Sequence, residues 1–181
     1  TEVSMVKDLE FEKQRMLKYK TLAVAFSYPN KEFFDFFPEL SSDRERLSRE
    51  YDRLFRVKEI WLYGTEYISE HEFQRSNYLA DISGFYKAFG LEVQGDRPDA
   101  LSSELEFMHY LIFKEIKAPE EEKAAICLDA QRKFFTEYVH TMAKPIAERI
   151  ISETTEGFYK NIADEMLDFL KSEEGLYSQN R

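Results

Sequence analysis

The side chains that most often carry catalysis are scattered along this chain without a catalytic spacing. The three histidines, His71, His109 and His140, are far apart, and none pairs at metal-ligand spacing with another histidine or with Cys127. Glu106 precedes His109 by three residues, which could hold a metal on a helix, but an exposed polar pair explains the spacing more simply. The chain has no glycine-rich phosphate loop. We therefore predict a protein that is not an enzyme and that binds neither a metal nor a cofactor.

One glutamate stands out because it lies among apolar residues. In the segment "RPDALSSELEFMHYL", positions 97–111, the apolar side chains recur at spacings of three and four, which predicts an amphipathic helix. At about 100° per residue, Glu104 falls inside the arc of Leu101, Leu105 and Met108. Glu106 falls well outside that arc. The pattern predicts that the carboxyl group of Glu104 is buried.

A buried carboxylate needs a partner, since an unpaired one costs several kcal/mol. Glu50 lies in the apolar arc of a second predicted helix, "EYDRLF", and Arg53 lies at the edge of that arc. We predict that Arg53 pairs with Glu104 and links the two helices, and that Glu50 and Phe107 belong to the same structural motif. Two alternatives remain open, in which Glu104 binds a cationic ligand or is exposed.

The elements that must position these residues are all helical. Helical patterns cover about residues 3–27, 30–37, 77–89, 99–117, 119–142, 145–156 and 158–174, and a further helix follows a possible capping box of Ser42 and Glu45. Residues 56–68 are mixed and aromatic and are predicted to form a long loop. No segment alternates with period two. We predict a single all-α domain of about eight to ten helices over residues 1–181, with residues 1–4 disordered or extraneous and residues 172–181 frayed.

Composition excludes several classes of protein. The net charge of −10 and the absence of basic patches argue against nucleic-acid binding. No apolar run reaches the roughly 18 residues that a membrane helix needs, and the first residues do not resemble a secretory signal. The single Cys127 allows no disulfide within the chain. We expect a cytoplasmic protein that does not insert into a membrane.

Several segments together resemble a known family. "EYDRLF" (50–55) and "RPDALSSELEFMHYL" (97–111) resemble the paired motifs of the cytoplasmic chaperones for molybdoenzymes, of the TorD, DmsD and NarJ type. "YGTEYISE" (63–70) resembles the aromatic loop of that family and precedes the predicted helix "FYKAFGLEV" (85–93). "RKFFTEYV" (132–139) and "FYKNIADEMLDFL" (158–170) resemble its C-terminal helices. The similar segments span about residues 47–170.

This resemblance implies an all-helical, non-enzymatic chaperone, acting as a monomer or weak dimer. Its partner would be the N-terminal segment of the catalytic subunit of a molybdopterin-containing oxidoreductase. In many members that segment is a twin-arginine signal, and binding delays export until the cofactor has been inserted.

The resemblance also implies a peptide site, formed by the hinge before the "ELEFM" helix and by the aromatic loop. The corresponding residues are Pro98, Asp99 and Ala100 of the hinge, Tyr63, Thr65 and Tyr67 of the loop, and the nearby Trp61. We expect Asp99 to be exposed, where it could cap the helix, accept an arginine of the segment, or both. The aromatic side chains could line an apolar groove or belong to the core. The chain departs from the family pattern with Ala100 and Tyr138 in place of histidines, Met142 in place of tryptophan, and a loop that is not proline-rich.

Three other functions stay open from the sequence. The client could be a reductase without a functional export signal. The protein could bind GTP, although it lacks a phosphate loop. It could also be an enzyme that uses an acid–base pair such as Glu104 and His109.

Overall fold

Helices make up nearly all of the regular structure in residues 2–68 and 71–179, which the computed structural model describes, with side chains from residue 9 onward. The helices are α1 (Glu2–Ala25), α2 (Lys31–Phe36), α3 (Arg44–Asp52), α4 (Glu72–Ala88), α5 (Leu101–Lys117), α6 (Glu121–Phe134), α7 (His140–Glu153) and α8 (Phe158–Ser178). Within these ranges the only β-type pairing is a single bridge between Tyr63 and Ala100. The prediction of an all-α fold is confirmed. Because α6 and α7 form one unbroken run, the described residues contain seven separate helices, slightly fewer than predicted.

Helix α5 lies at the centre of the fold because its apolar face is buried along its whole length. Leu101, Leu105, Met108, Leu111 and Ile112 are all at most 1% exposed. This helix packs mainly against α1 on one side and α6 on the other, and α7 pairs with α8. The periodicity of the sequence therefore predicted this helix and its buried face correctly.

Two helices continue where the sequence predicted a break. Pro145 lies inside α7 and does not begin a helix, because a π-helical turn, Phe135–Val139, joins α6 to α7 without interruption. Another π-helical turn, Arg53–Val57, extends α3 into the region predicted to be loop. The extra residue in each turn shifts the backbone hydrogen bonds while the helix goes on.

Local capping patterns were less reliable than apolar periodicity. Asn30 caps α2 as its sequence suggests, since its side chain accepts a hydrogen bond from the Phe33 amide at 3.2 Å. The predicted capping box of Ser42 and Glu45 is wrong: Ser42 lies inside a 3₁₀ turn, Pro38–Asp43, Glu45 lies in the first turn of α3, and α3 has no side-chain cap.

The C-terminal residues are packed. Helix α8 runs to Ser178, and Glu173 and Tyr177 are 1% and 5% exposed, so the prediction of a frayed end is wrong for residues 172–178. Both side chains hydrogen-bond Arg15 of α1, which holds this part of α8 in place. At the other end, α1 begins at Glu2. Positions 1, 180 and 181 lie outside the described residues.

None of the helices in the described part of the chain is both long and apolar enough to cross a membrane.

Candidate functional site

The aromatic loop and the hinge lie side by side. Tyr63 and Ala100 form an antiparallel bridge. The Gly64 amide donates to the Asp99 carbonyl at 2.9 Å, and the Leu101 amide donates to the Leu62 carbonyl at the same distance. The structure thus brings together the two segments that the resemblance pointed to. Two residues of the loop segment, at positions 69 and 70, lie outside the described residues.

Asp99 was predicted to be exposed, but it is fully buried beneath the loop. Its Oδ2 atom accepts hydrogen bonds from the Thr65 amide at 3.0 Å and the Thr65 hydroxyl at 2.9 Å. The predicted N-cap is also wrong, since Ala100 occupies the cap position and α5 has no side-chain cap. The Asp99 carboxylate accepts hydrogen bonds from the loop and does not cap the N-terminus of α5.

Arg97, two residues before Asp99 in the same chain, already pairs with the Asp99 carboxylate. Arg97 donates from Nε to Oδ1 at 3.0 Å and from a terminal nitrogen to Oδ2 at 2.9 Å. The same guanidinium group lies 4.2 Å from the ring centroid of Tyr63 and donates to the Thr65 hydroxyl at 2.6 Å. Asp99 therefore ties the hinge to the loop and offers no free acceptor at the surface.

The outward surface of the loop is aromatic. Trp61 is 39% exposed, and Tyr67 donates from its hydroxyl to the backbone carbonyl of Trp61 at 2.6 Å, which holds the Tyr67 side chain against the loop backbone. Partial burial raises the pKa of Tyr67 to about 12. Pro98 is half-buried, and its carbonyl accepts a hydrogen bond from the Tyr86 hydroxyl at 2.7 Å. Of the predicted site residues, Trp61, Tyr63, Tyr67 and Pro98 thus remain at least partly accessible.

The predicted pair between Arg53 and Glu104 does not form. Arg53 pairs instead with Glu50, three residues earlier, at 2.5 Å, and donates to the carbonyl of Glu153 at the end of α7. This places its guanidinium against α7 and not against α5. Phe107, assigned to the same structural motif, is buried and contacts the rings of Tyr86, Phe89 and Phe134.

Glu104 is nevertheless fully buried, and neither of its carboxyl oxygens has a hydrogen-bond partner. Burial raises the pKa of Glu104 well above its usual value, and the charge of Asp99 raises the pKa further. Tyr78 of α4 lies alongside and opposes this rise, although no hydrogen bond between the two groups meets the usual geometric limits. The sequence predicted the burial of Glu104 correctly and its partner wrongly.

Gly64 makes room for the side chain of Tyr78, and this close approach gives a testable prediction. A Cβ atom on Gly64 would lie 2.8 Å from Cε1 of Tyr78, which also packs edge-to-face on Tyr138. We expect Gly64→Ala to lower the free energy of unfolding by about 1–3 kcal/mol through overpacking, measured by urea denaturation. Gly84→Ala is the control, since nothing lies within 4 Å of its Cβ position. At this exposed position inside α4, alanine should raise the free energy of unfolding by up to about 1 kcal/mol. Equal effects of the two changes would contradict the steric argument.

A groove that the sequence did not reveal adjoins this region. Its cavity of about 410 Å³ is mainly apolar and lies between α5 and the connector after α4, with Leu91, Val93, Phe107, Tyr110 and Phe113 in its lining. The helical pattern in the sequence stops before residue 91, and the structure agrees, since α4 ends at Ala88 and residues 91–94 have no regular secondary structure. In the sequence, the apolar residues Leu91 and Val93 on either side of the exposed Glu92 were the only indication that this connector has an apolar side.

The pair of Glu106 and His109 does not form a metal site. Glu106 binds Lys20 at 2.7 Å, and the Nδ1 atom of His109 lies 2.9 Å from the Met16 carbonyl. The described residues contain no cluster of three or more histidine, cysteine, aspartate or glutamate side chains that could hold a metal ion.

The described residues form an all-helical fold whose accessible features include the aromatic surface of the loop and an apolar groove. Residues 21–148 match the protein family described as nitrate reductase delta subunit, and the chain belongs to that family. The family consists of TorD- and NarJ-type chaperones for molybdoenzyme assembly, which are not catalytic, so the resemblance seen in the sequence is confirmed. A comparison with curated proteins found no match.

Proposed function

We propose that the protein binds the N-terminal segment of the catalytic subunit of a molybdopterin-containing oxidoreductase and delays its export until the cofactor is inserted. Membership of the delta-subunit family supports the kind of partner. The observation that carries the proposal is the partly exposed aromatic surface of Trp61, Tyr63 and Tyr67, on a loop that backbone and side-chain hydrogen bonds join to the hinge. Rigid aromatic side chains at a surface are the groups that most often dominate a binding interface.

The groove beside the hinge supports the same proposal. Its apolar lining suits the apolar stretch that follows the charged residues in an export signal. The net charge of −10 favours a cationic segment and speeds its association.

The pairing of Asp99 with Arg97 affects which kind of client segment the hinge can bind. Since Arg97 already fills this carboxylate, we propose that the hinge does not bind a pair of arginines through Asp99. The alternative client, a reductase without a functional export signal, is supported by this geometry and by the description of the family as a nitrate reductase subunit. Comparing client peptides with and without their paired arginines would separate the two.

Trp61 provides the test of this proposal. A labelled peptide that copies the N-terminus of the molybdoenzyme subunit co-purifying with the protein should bind with micromolar to high nanomolar affinity, because a chaperone must release its client. We expect Trp61→Ala to weaken binding about tenfold or more, as for a central aromatic contact, measured by fluorescence anisotropy.

Ile126→Ala is the matched control, since Ile126 is a similarly exposed apolar residue on α6, at 56%. This change should leave the affinity unaltered. Failure of the peptide to bind the unmodified protein would refute the proposed function, and equal losses from both changes would refute the location of the site.

A further inference from the structure

We propose that Glu104 is a buried receptor for one guanidinium group of the client segment, uncovered when Tyr78 of α4 moves aside. This inference rests on the proposed function, because it names the group on the chaperone that the segment would contact. It replaces Asp99, which the sequence suggested and which Arg97 occupies, with a carboxyl group that forms no ion pair within the described residues.

The unsatisfied polar atoms around Glu104 form the first part of the argument. Both carboxyl oxygens of Glu104 and the hydroxyl of Tyr78 are buried side by side, and none of them makes a hydrogen bond that meets the usual geometric limits. Buried polar groups in native proteins almost always have partners, so such a cluster calls for an explanation. A guanidinium group offers a planar fork of N–H donors that matches a carboxylate, and would supply the missing hydrogen bonds.

The cover over Glu104 is the second part. Of the 17 residues of α4, only Ile82 and Tyr86 are buried, and Phe73 in its first turn is 77% exposed. Tyr78 itself is half-buried and packs its ring edge-to-face on Tyr138. Movement of Tyr78 would therefore expose Glu104 without opening the core around α5.

The position of the groove is the third part. Tyr86 lines the cavity beside Leu91 and Val93, and it lies close enough to Glu104 for the carboxyl charge to raise the pKa of the tyrosine. A segment with an arginine followed by apolar residues could place the arginine at Glu104 and the apolar residues in the groove.

Binding of a guanidinium group at Glu104 would release a proton to solvent. The titratable groups that face Glu104 are Asp99 from the hinge, Tyr78 and Tyr86 from α4, and Tyr138 from the π-helical turn after α6. In the described parts of the chain, Glu104 forms no ion pair with a lysine, arginine or histidine. The free protein thus favours a neutral carboxyl group, and the complex favours a carboxylate.

The test uses a synthetic peptide with two adjacent arginines before a leucine- and alanine-rich stretch, and a second peptide with citrulline in place of arginine. Citrulline keeps the shape of the side chain and removes its charge. We expect Glu104→Gln to weaken binding of the arginine peptide about tenfold or more, the range for hydrogen bonds to charged groups, and to leave the weaker binding of the citrulline peptide unchanged. Calorimetry in buffers of different ionisation enthalpy should show release of about one proton with the unmodified protein, and none with Glu104→Gln.

Glu122→Gln is the control, because it removes the same charge from an exposed position on α6, outside the lining of the groove. Thermal unfolding of both variants should show that they are folded. Equal losses from the two substitutions, no proton release, or no binding of the arginine peptide would each overturn the role of Glu104. The client-peptide experiment with Trp61→Ala decides the proposed function separately.

Discussion

Arg15→Met is expected to lower the free energy of unfolding by about 3–5 kcal/mol, because it leaves the carboxylate of Glu173 buried without its cation. Arg15 and Glu173 are 3% and 1% exposed and form two hydrogen bonds, at 2.7 and 2.8 Å. Burial alone would lower the pKa of Arg15, but its hydrogen bond and charge pairing with Glu173 raise the pKa well above the usual value. The pair joins α1 to α8 across 158 positions of sequence, so its loss would loosen both helices.

Other groups around this pair cannot replace the lost cation. Tyr19 donates from its hydroxyl to Glu173 at 2.7 Å, and Tyr177 accepts from Arg15 at 2.7 Å. Both are neutral side chains, so they would leave the charge of Glu173 uncompensated. Urea denaturation of the purified variant measures the effect.

Two variants make this prediction specific. Combining Arg15→Met with Glu173→Met should restore most of the lost stability, since apolar replacement of a whole buried pair is often neutral. Lys18→Met removes an exposed cation from the same helix, where the partner Glu165 is half exposed, and should change stability by no more than about 0.5 kcal/mol. If Lys18→Met and Arg15→Met destabilise alike, or if the double variant is no better than the single one, the buried pair does not have this role.

The sequence determined which face of each helix is buried more clearly than which helices are neighbours. Periodicity placed Glu104 on the buried face of α5, and the structure agrees. The predicted pairing of Glu104 with Arg53 was wrong, because a helical wheel shows only the direction of side chains around one helix axis and not which helices are neighbours. The π-helical turn that begins at Arg53, and the contact of its guanidinium with α7, depend on tertiary packing.

Competition between local and distant partners explains the error at Asp99. An aspartate before a helix is a good N-cap by local rules, but here Thr65, 34 residues away, offers two donors to the same carboxylate. No local pattern contains that information, and the resemblance to the family was what placed the loop near the hinge. The buried pair of Arg15 and Glu173 was missed, although Glu173 lies at helical spacing from Leu170 and Tyr177, both of which are buried.

Glu104→Gln is expected to stabilise the protein increasingly as the pH rises. The usual pKa of the glutamate side chain is 4.5, and burial raises the pKa of Glu104 well above it in the folded state, helped by the charge of Asp99. Below pH 4.5 the carboxyl group is protonated in both the folded and unfolded states, so it contributes no dependence on pH. Above pH 4.5 the unfolded chain loses the proton while the folded chain keeps it, and stability falls by up to about 1.4 kcal/mol per pH unit. The loss continues until the pH passes the raised pKa of the folded protein.

Glutamine keeps the shape of the side chain and cannot ionise, so this loss disappears in Glu104→Gln. The melting temperatures of the two proteins should be similar near pH 4 and should diverge from about pH 5 upward, with the variant higher, as differential scanning fluorimetry across the pH range would show. Glu106→Gln should follow the unmodified protein closely, because Glu106 is 47% exposed and its pairing with Lys20 is screened by solvent. Melting curves for Glu104→Gln that stay parallel to those of the unmodified protein at every pH would mean that Glu104 is ionised in the folded state. A carboxylate at that position would need a cation to compensate it, and the arrangement of α4 over α5 would then have to differ from the one described.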